Sequence, residues 1–160
     1  MQRNPISIQG FQKLKQELEE LKKQRPEVIQ AIKEAREEGD LRENAGYDAA
    51  KEKQGMLEAR IRHLESRLPC CDVIDINSMS GDKVAFGATV EISDLETGET
   101  KRFTLLGPDE ADYKSGSISV HSPLAKALLG KEEGEEAIVN APRGQIEYEI
   151  VSVRFNGTQG

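Results

Sequence analysis

From Phe11 onward the apolar residues recur in alternating steps of three and four: Phe11, Leu14, Leu18, Leu21, then Arg25 as the one polar interruption, then Val28, Ile32 and Ala35. This is the a/d seam of a helix that packs along one stripe. A second run, Tyr47, Ala50, Gln54, Leu57, Ile61, Leu64 and Leu68, repeats the alternation with Gln54 as its polar position. The two runs are mirror images about position 41. Leu14 is matched with Leu68, Leu18 with Leu64, Leu21 with Ile61, Arg25 with Leu57, Val28 with Gln54, Ile32 with Ala50, and Ala35 with Tyr47. An antiparallel coiled-coil hairpin requires that matching. Ser7 predicts the N-cap of the first helix, and Pro26 predicts a kink or a lost hydrogen bond inside it. Gly39 predicts its C′ residue, and Asp40 the cap of the second helix. Helices of about 30 residues would run ~45 Å. The seam narrows to Ala35, Ala49 and Ala50 near the turn. A slim probe results, with a length that serves reach better than stability.

After Pro69 the period changes to two. Val73–Ile76, Val84–Phe86, Thr89–Ser93, Arg102–Leu106, Ile118–Val120, Glu136–Val139 and Ile146–Phe155 predict strands. Thr97-Gly98 predicts a hairpin turn. Ser122 followed by Pro123 predicts a helix start, with Gly130 closing that helix, so a short helix falls near 123–129. One short helix on an antiparallel sheet makes a compact α+β domain. The expected fold is therefore an antiparallel α-helical hairpin over residues 1–68, followed by an α+β domain over 69–160.

Composition sharpens this division. The 160 residues carry 22 Lys+Arg and 29 Asp+Glu, a net charge of −7. The charge is unevenly placed, near +1 over 1–68 and −8 over 69–160. No apolar run approaches the ~20 residues of a membrane helix, and Met1 to Gly10 lacks the apolar core of a signal peptide. The only cysteines, Cys70 and Cys71, are adjacent. Such neighbours rarely bridge and cannot close a zinc site without further ligands. A reduced, cytoplasmic protein is the expectation. Residues 109–112 spell Asp-Glu-Ala-Asp, but no phosphate-binding loop accompanies them. A solvated acidic loop is expected there.

The predicted tip reads G-D-L-R-E-N-A-G-Y over 39–47. Asp40 and Glu43, three apart at a helix start, share a face. One account is a capping box, in which each residue satisfies the other's backbone N–H. The other is a metal-handling pair, because Mg²⁺ is commonly held by one or two carboxylates plus waters and substrate phosphates. Two carboxylates make no complete site, but they can finish one inside a partner's active centre. Both accounts can hold for one pair, free and docked.

The tip with its flanking repeat, together with I-S-V-H-S-P-L-A-K-A-L-L-G-K at 118–131, resembles the bacterial Gre transcript-cleavage (transcription elongation) factors, on their GreA-like side. The resemblance covers nearly the whole chain. It implies a coiled coil that enters the secondary channel of a backtracked RNA polymerase and stimulates the polymerase's own Mg-dependent cleavage of the RNA 3′ end. The factor is then no enzyme by itself and binds no cofactor tightly. It shares Mg²⁺ with the polymerase through Asp40 and Glu43, with Tyr47, Leu41 and Asn44 as tip contacts. The resemblance further implies an FKBP-like second domain, a monomer, and docking on the polymerase through His121, Ser122 and Pro123. For Ser122 and Pro123 a plain helix cap is the competing account.

Lys13, Lys15, Lys22, Lys23 and Arg25 form a basic stretch interspersed with Glu17, Glu19 and Glu20. It is either a solvated helix face or, as the resemblance implies, a weak nucleic-acid (RNA- or DNA-binding) patch. One departure from the family pattern is Gly46, where a further acid is expected. It weakens the helix by ~1 kcal/mol relative to Ala, which predicts weakened rather than lost activity. An inhibitory subgroup with clustered tip aspartates is not matched. The alternatives kept open are a channel-binding blocker without cleavage stimulation and a folding helper on a helical arm.

Overall fold

The computed structural model describes residues 3–37 and 45–155. The chain divides into two compact units. One comprises the residues up to Phe11 together with those from Cys71 onward, and the other comprises Gln12–Cys70.

The hairpin unit is built from helices α1 (Ile8–Glu37) and α2 (Ala45–Arg67). Ser7 caps α1 as its sequence position demands, its Oγ accepting the Gly10 N–H at 3.0 Å. The helix runs unbroken through Pro26, so the expected break is limited to the bond that Pro, lacking an N–H, cannot donate. Its seam residues Leu14, Val28, Ile32 and Ala35 are buried, as are Leu57, Ile61 and Leu64 of α2. Val28, Ile32, Leu57 and Ile61 form one cluster, with Leu18, Leu21, Tyr47 and Ala50 packed around it. The polar position Arg25 is filled by a bidentate pair: its Nε and Nη2 donate to Glu58 at 2.8 Å each. Glu17 accepts from Arg60 Nε at 2.8 Å and Nη2 at 2.9 Å, and Lys22 Nζ lies 3.3 Å from Glu65. The hydrogen bond from Arg25 holds the Glu58 carboxyl below its ordinary pKa, and that from Arg60 does the same for Glu17. All three pairs join residues across the mirror at position 41, which establishes the antiparallel pairing.

The sheet unit has five strands in the order β5 (Ser117–Ser119), β4 (Thr100–Leu106), β3 (Ala88–Asp94), β7 (Gly144–Phe155), β6 (Glu136–Ala141). The β3–β4, β3–β7 and β6–β7 pairs are antiparallel. The expected all-antiparallel sheet is corrected at one edge, where β5 runs parallel to β4 after a crossover through residues 107–116. Between β3 and β4 the loop turns at Gly98, φ 78°, whose N–H donates to Asp94 O at 2.7 Å. Helix α3 (Pro123–Leu128) covers one face. Val90, Ile92, Leu105 and Ile150 from the strands meet Ala125 and Leu128 from α3 in a closed core.

Two further expectations need correction. Val84–Phe86 is not a strand. Val84 is buried, but its N–H donates to Lys131 O at 2.9 Å and its carbonyl accepts from Gly130 N–H at 2.8 Å, so the turn after α3 takes its backbone bonds. The residues before α1, assigned above to the hairpin, form strand β1 (Asn4–Ser7). It pairs in parallel with β2 (Cys71–Ile74) as a separate two-stranded sheet. Asn4, Ile6 and Ser7 are buried there.

Two glycines predict opposite outcomes for one substitution. Gly55 lies inside α2, and a Cβ there meets nothing within 4 Å. Gly55→Ala should raise stability by ~1 kcal/mol, the helix-propensity difference. At Gly107 a Cβ would overlap the Pro5 carbonyl oxygen. Gly107→Ala should therefore lower stability by roughly 1–3 kcal/mol, the usual range for overpacking. Thermal denaturation of the two variants against the natural chain reads both signs.

Candidate functional site

Asp40, Leu41, Glu43 and Asn44 lie outside the described residues. The structure establishes what holds them: α1 up to Glu37 and α2 from Ala45, two antiparallel helices that this segment joins. Arg36 stands in the last turn of α1, where a cation complements the negative end of the helix dipole. Its guanidinium carbon lies 5.9 Å from the centroid of the Tyr47 ring, within cation–π range. Tyr47, expected as a tip contact, is half-buried against the hairpin core, so its ring is held by packing. Gly46 is an exposed residue in the first turn of α2.

Next to these residues Ile29, Ile32, Lys33, Arg36, Lys51 and Gln54 line an open groove of about 260 Å³. Ile29 is 57% exposed on its wall. Lys51 Nζ donates to Gln54 Oε1 at 3.2 Å. Three cations above an apolar floor, beside an aromatic ring, suit a phosphate-bearing ligand with a stacking base. Sequence reasoning missed this cluster. The signal was available: Lys33 and Arg36 share a face at i,i+3, and the mirror at 41 brings Lys51 opposite them.

The other candidates are distributed differently. Lys13, Lys15 and Lys23 are exposed on α1, but Lys22 and Arg25 are engaged with Glu65 and Glu58. Lys22 and Arg25 of the basic stretch are thus used in holding the hairpin together. Ser122 caps α3, its Oγ accepting the Ala125 N–H at 3.2 Å, and Pro123 occupies the first turn. His121 is exposed, and its N–H donates to Ser119 Oγ at 3.0 Å. The three share one exposed corner, where Ser122 and Pro123 already carry a structural task.

The acidic segment 109–112 is not a solvated loop. Asp109, Glu110 and Ala111 are half-buried. The Asp112 Oδ1 accepts the Lys114 N–H at 3.1 Å, and its backbone N–H donates to Ser117 Oγ at 2.7 Å. Glu110 is spent on the start of α1. Glu110 and Asp112 thus have structural uses. Among the described residues no group of three or more His, Cys, Asp or Glu side chains could hold a metal ion, and no helix is long and apolar enough to cross a membrane.

Residues 4–73 match the family model described as transcription elongation factor, N-terminal. Residues 79–155 match the model described as transcription elongation factor, GreA/GreB, C-term. The chain is 70% identical over 156 residues to the transcription elongation factor GreA of Nitratidesulfovibrio vulgaris strain DP4, covering 98% of this chain and 96% of that one. It is 61% identical over 155 residues to the GreA of Desulfovibrio desulfuricans, covering 97% and 96%. Among solved structures, the GreA factor homolog 1 protein of Thermus thermophilus is 29% identical, with 96% and 99% coverage and a TM-score of 0.45. With both halves of the chain matched and full-length relatives at this identity, the chain belongs to the GreA/GreB family of transcription elongation factors.

Proposed function

We propose that this elongation factor binds bacterial RNA polymerase, carries its hairpin tip into the secondary channel, and stimulates the polymerase's own cleavage of backtracked RNA. The observation that carries this is the antiparallel hairpin itself. Two helices locked by a seam and three ion pairs are joined by a segment holding Asp40 and Glu43. A pair of carboxylates suits Mg²⁺, a hard cation that takes oxygen ligands. When bound, the ion would stabilise developing charge on the reacting phosphate and generate the attacking hydroxide. Asp40 and Glu43 are the residues of this chain that would hold it, and the polymerase supplies the remaining ligands. The protein is thus an accessory to the reaction and no enzyme by itself. Arg36, Lys33 and Lys51 would hold the backbone of the extruded RNA 3′ end, and the Tyr47 ring would offer a stacking surface, a weak contact made through the polymerase. His121, Ser122 and Pro123 would dock on the polymerase exterior. The factor would work as a monomer in the cytoplasm.

Asp40→Asn separates the cap from the metal ligand, because Asn caps a helix about as well as Asp but is a poor Mg²⁺ ligand. The variant should melt with the natural chain, still bind the elongation complex, and release 3′ RNA fragments slower by on the order of 10²-fold. Unchanged release would overturn the metal role, and binding without release by the natural chain would make the protein a channel blocker. In the cationic groove, Arg36→Ala and Lys51→Ala should each weaken crosslinking to the RNA 3′ end. Each should also shallow its salt dependence by about one phosphate contact. An unchanged salt slope would remove the groove from the RNA path.

A further inference from the structure

A helix that begins with a capping Ser ordinarily finds an acid at its third residue, which reaches back to the cap's N–H. In α1 that position is Gly10, and the first turn carries no acid at all. The missing carboxylate arrives from 103 residues downstream. Glu110 Oε2 accepts the Ser7 N–H at 2.8 Å and the Gly107 N–H at 3.1 Å, and Glu110 Oε1 accepts the Ser7 Oγ–H at 2.5 Å. Ser7 Oγ passes the chain on by accepting the Gly10 N–H at 3.0 Å. Both glycines are needed for the approach: a Cβ at Gly10 would overlap Glu110 Oε1, and one at Gly107 would overlap the Pro5 carbonyl oxygen. One carboxylate therefore takes three hydrogen bonds and places negative charge at the positive end of α1, where it is favoured.

We infer that Glu110 is a positioning residue for transcript cleavage: it clamps the base of α1 so that the far end of the helix reaches a fixed place in the partner. The inference rests on the function proposed above. A helix of thirty residues is about 45 Å long, so a tilt of ~5° at its base moves its far end by about 4 Å. Misplacing a catalytic group by ~1 Å can cost on the order of 10²-fold in rate. A loose base therefore damages the chemistry at the tip far more than it damages folding or docking.

The test uses the full chain with a backtracked elongation complex. It measures fragment release at saturating factor, and separately the concentration needed to displace labelled natural factor. Glu110→Ala should lower release at saturation at least tenfold while the displacement concentration changes less than threefold. Glu110→Gln should restore release, because the side-chain amide keeps a carbonyl oxygen for the two backbone N–H groups and an NH₂ for Ser7 Oγ. Gly10→Ala supplies a stronger helix former yet should fall like Glu110→Ala, since its Cβ expels the carboxylate. In a Glu110→Ala background Gly10→Ala should cost nothing more. A contribution through helix stability alone predicts the reverse for Gly10→Ala. Normal release by Glu110→Ala or by Gly10→Ala, with the natural chain active, overturns the clamp and leaves the proposed function standing. No release by the natural chain overturns both.

Discussion

Helices α1 and α2 are long and largely polar, and their seam is the constraint on which the rest depends. A single helix of this kind is marginal in water, because its backbone bonds barely offset the ordering of the chain. Pairing the two buries Val28, Ile32, Leu57 and Ile61 against each other and makes a stable arm. The Arg25–Glu58 pair sits where the seam has no apolar residue, with side chains 39% and 32% exposed. At that exposure an ion pair contributes little net stability. Its value is geometric: a bidentate fork fits one register, and a slip of one turn breaks it. Helices α1 and α2 flank the segment that carries Asp40 and Glu43, so the pairing of its two ends depends on side chains well down the shaft.

At the other end of α1, the first residues of the chain belong with the sheet unit. Strand β1 pairs with β2, and Glu110 closes over the helix start. The close passage of Gly107 beneath Pro5 and the open flank of Gly10 beside Glu110 show the same principle twice, because glycine is used where another chain segment needs its Cβ volume. Gly55, with nothing within 4 Å of its would-be Cβ, has no such internal reason.

Periodic features were legible in the sequence, and pairings of distant segments were not. The heptad seams, their mirror at 41, the Ser7 cap, the Ser122-Pro123 helix start and the Gly98 turn all follow from local spacing. Strand β1 is four residues long, contains Pro5, and joins its partner in parallel, so no hairpin turn announces it. The parallel edge β5 is hidden for the same reason. Val84 is as apolar as a strand residue, but its backbone partners come from the turn after α3. Glu110 looked solvated because a capping acid 103 residues away has no spacing rule. The one available sign was Gly10 standing where the capping acid belongs. At the tip, residue types and spacing left a helix cap and a metal pair both open for Asp40 and Glu43, and only the resemblance to the Gre factors favoured the metal pair, while the cationic groove required the two helices to be seen side by side.

The Mg²⁺ dependence of cleavage separates a tip that lends carboxylates to the polymerase's metal site from one that only occupies the channel. Backtracked complexes are titrated with Mg²⁺ alone, with the natural chain, and with Asp40→Asn, and release of short 3′ RNA fragments is followed. The natural chain should raise the maximal rate and lower the Mg²⁺ concentration for half-maximal cleavage. With Asp40→Asn that concentration should return toward the value of the complex alone. A natural chain that releases no fragments, or an identical Mg²⁺ dependence for the natural and Asp40→Asn chains, would rule out a shared metal site.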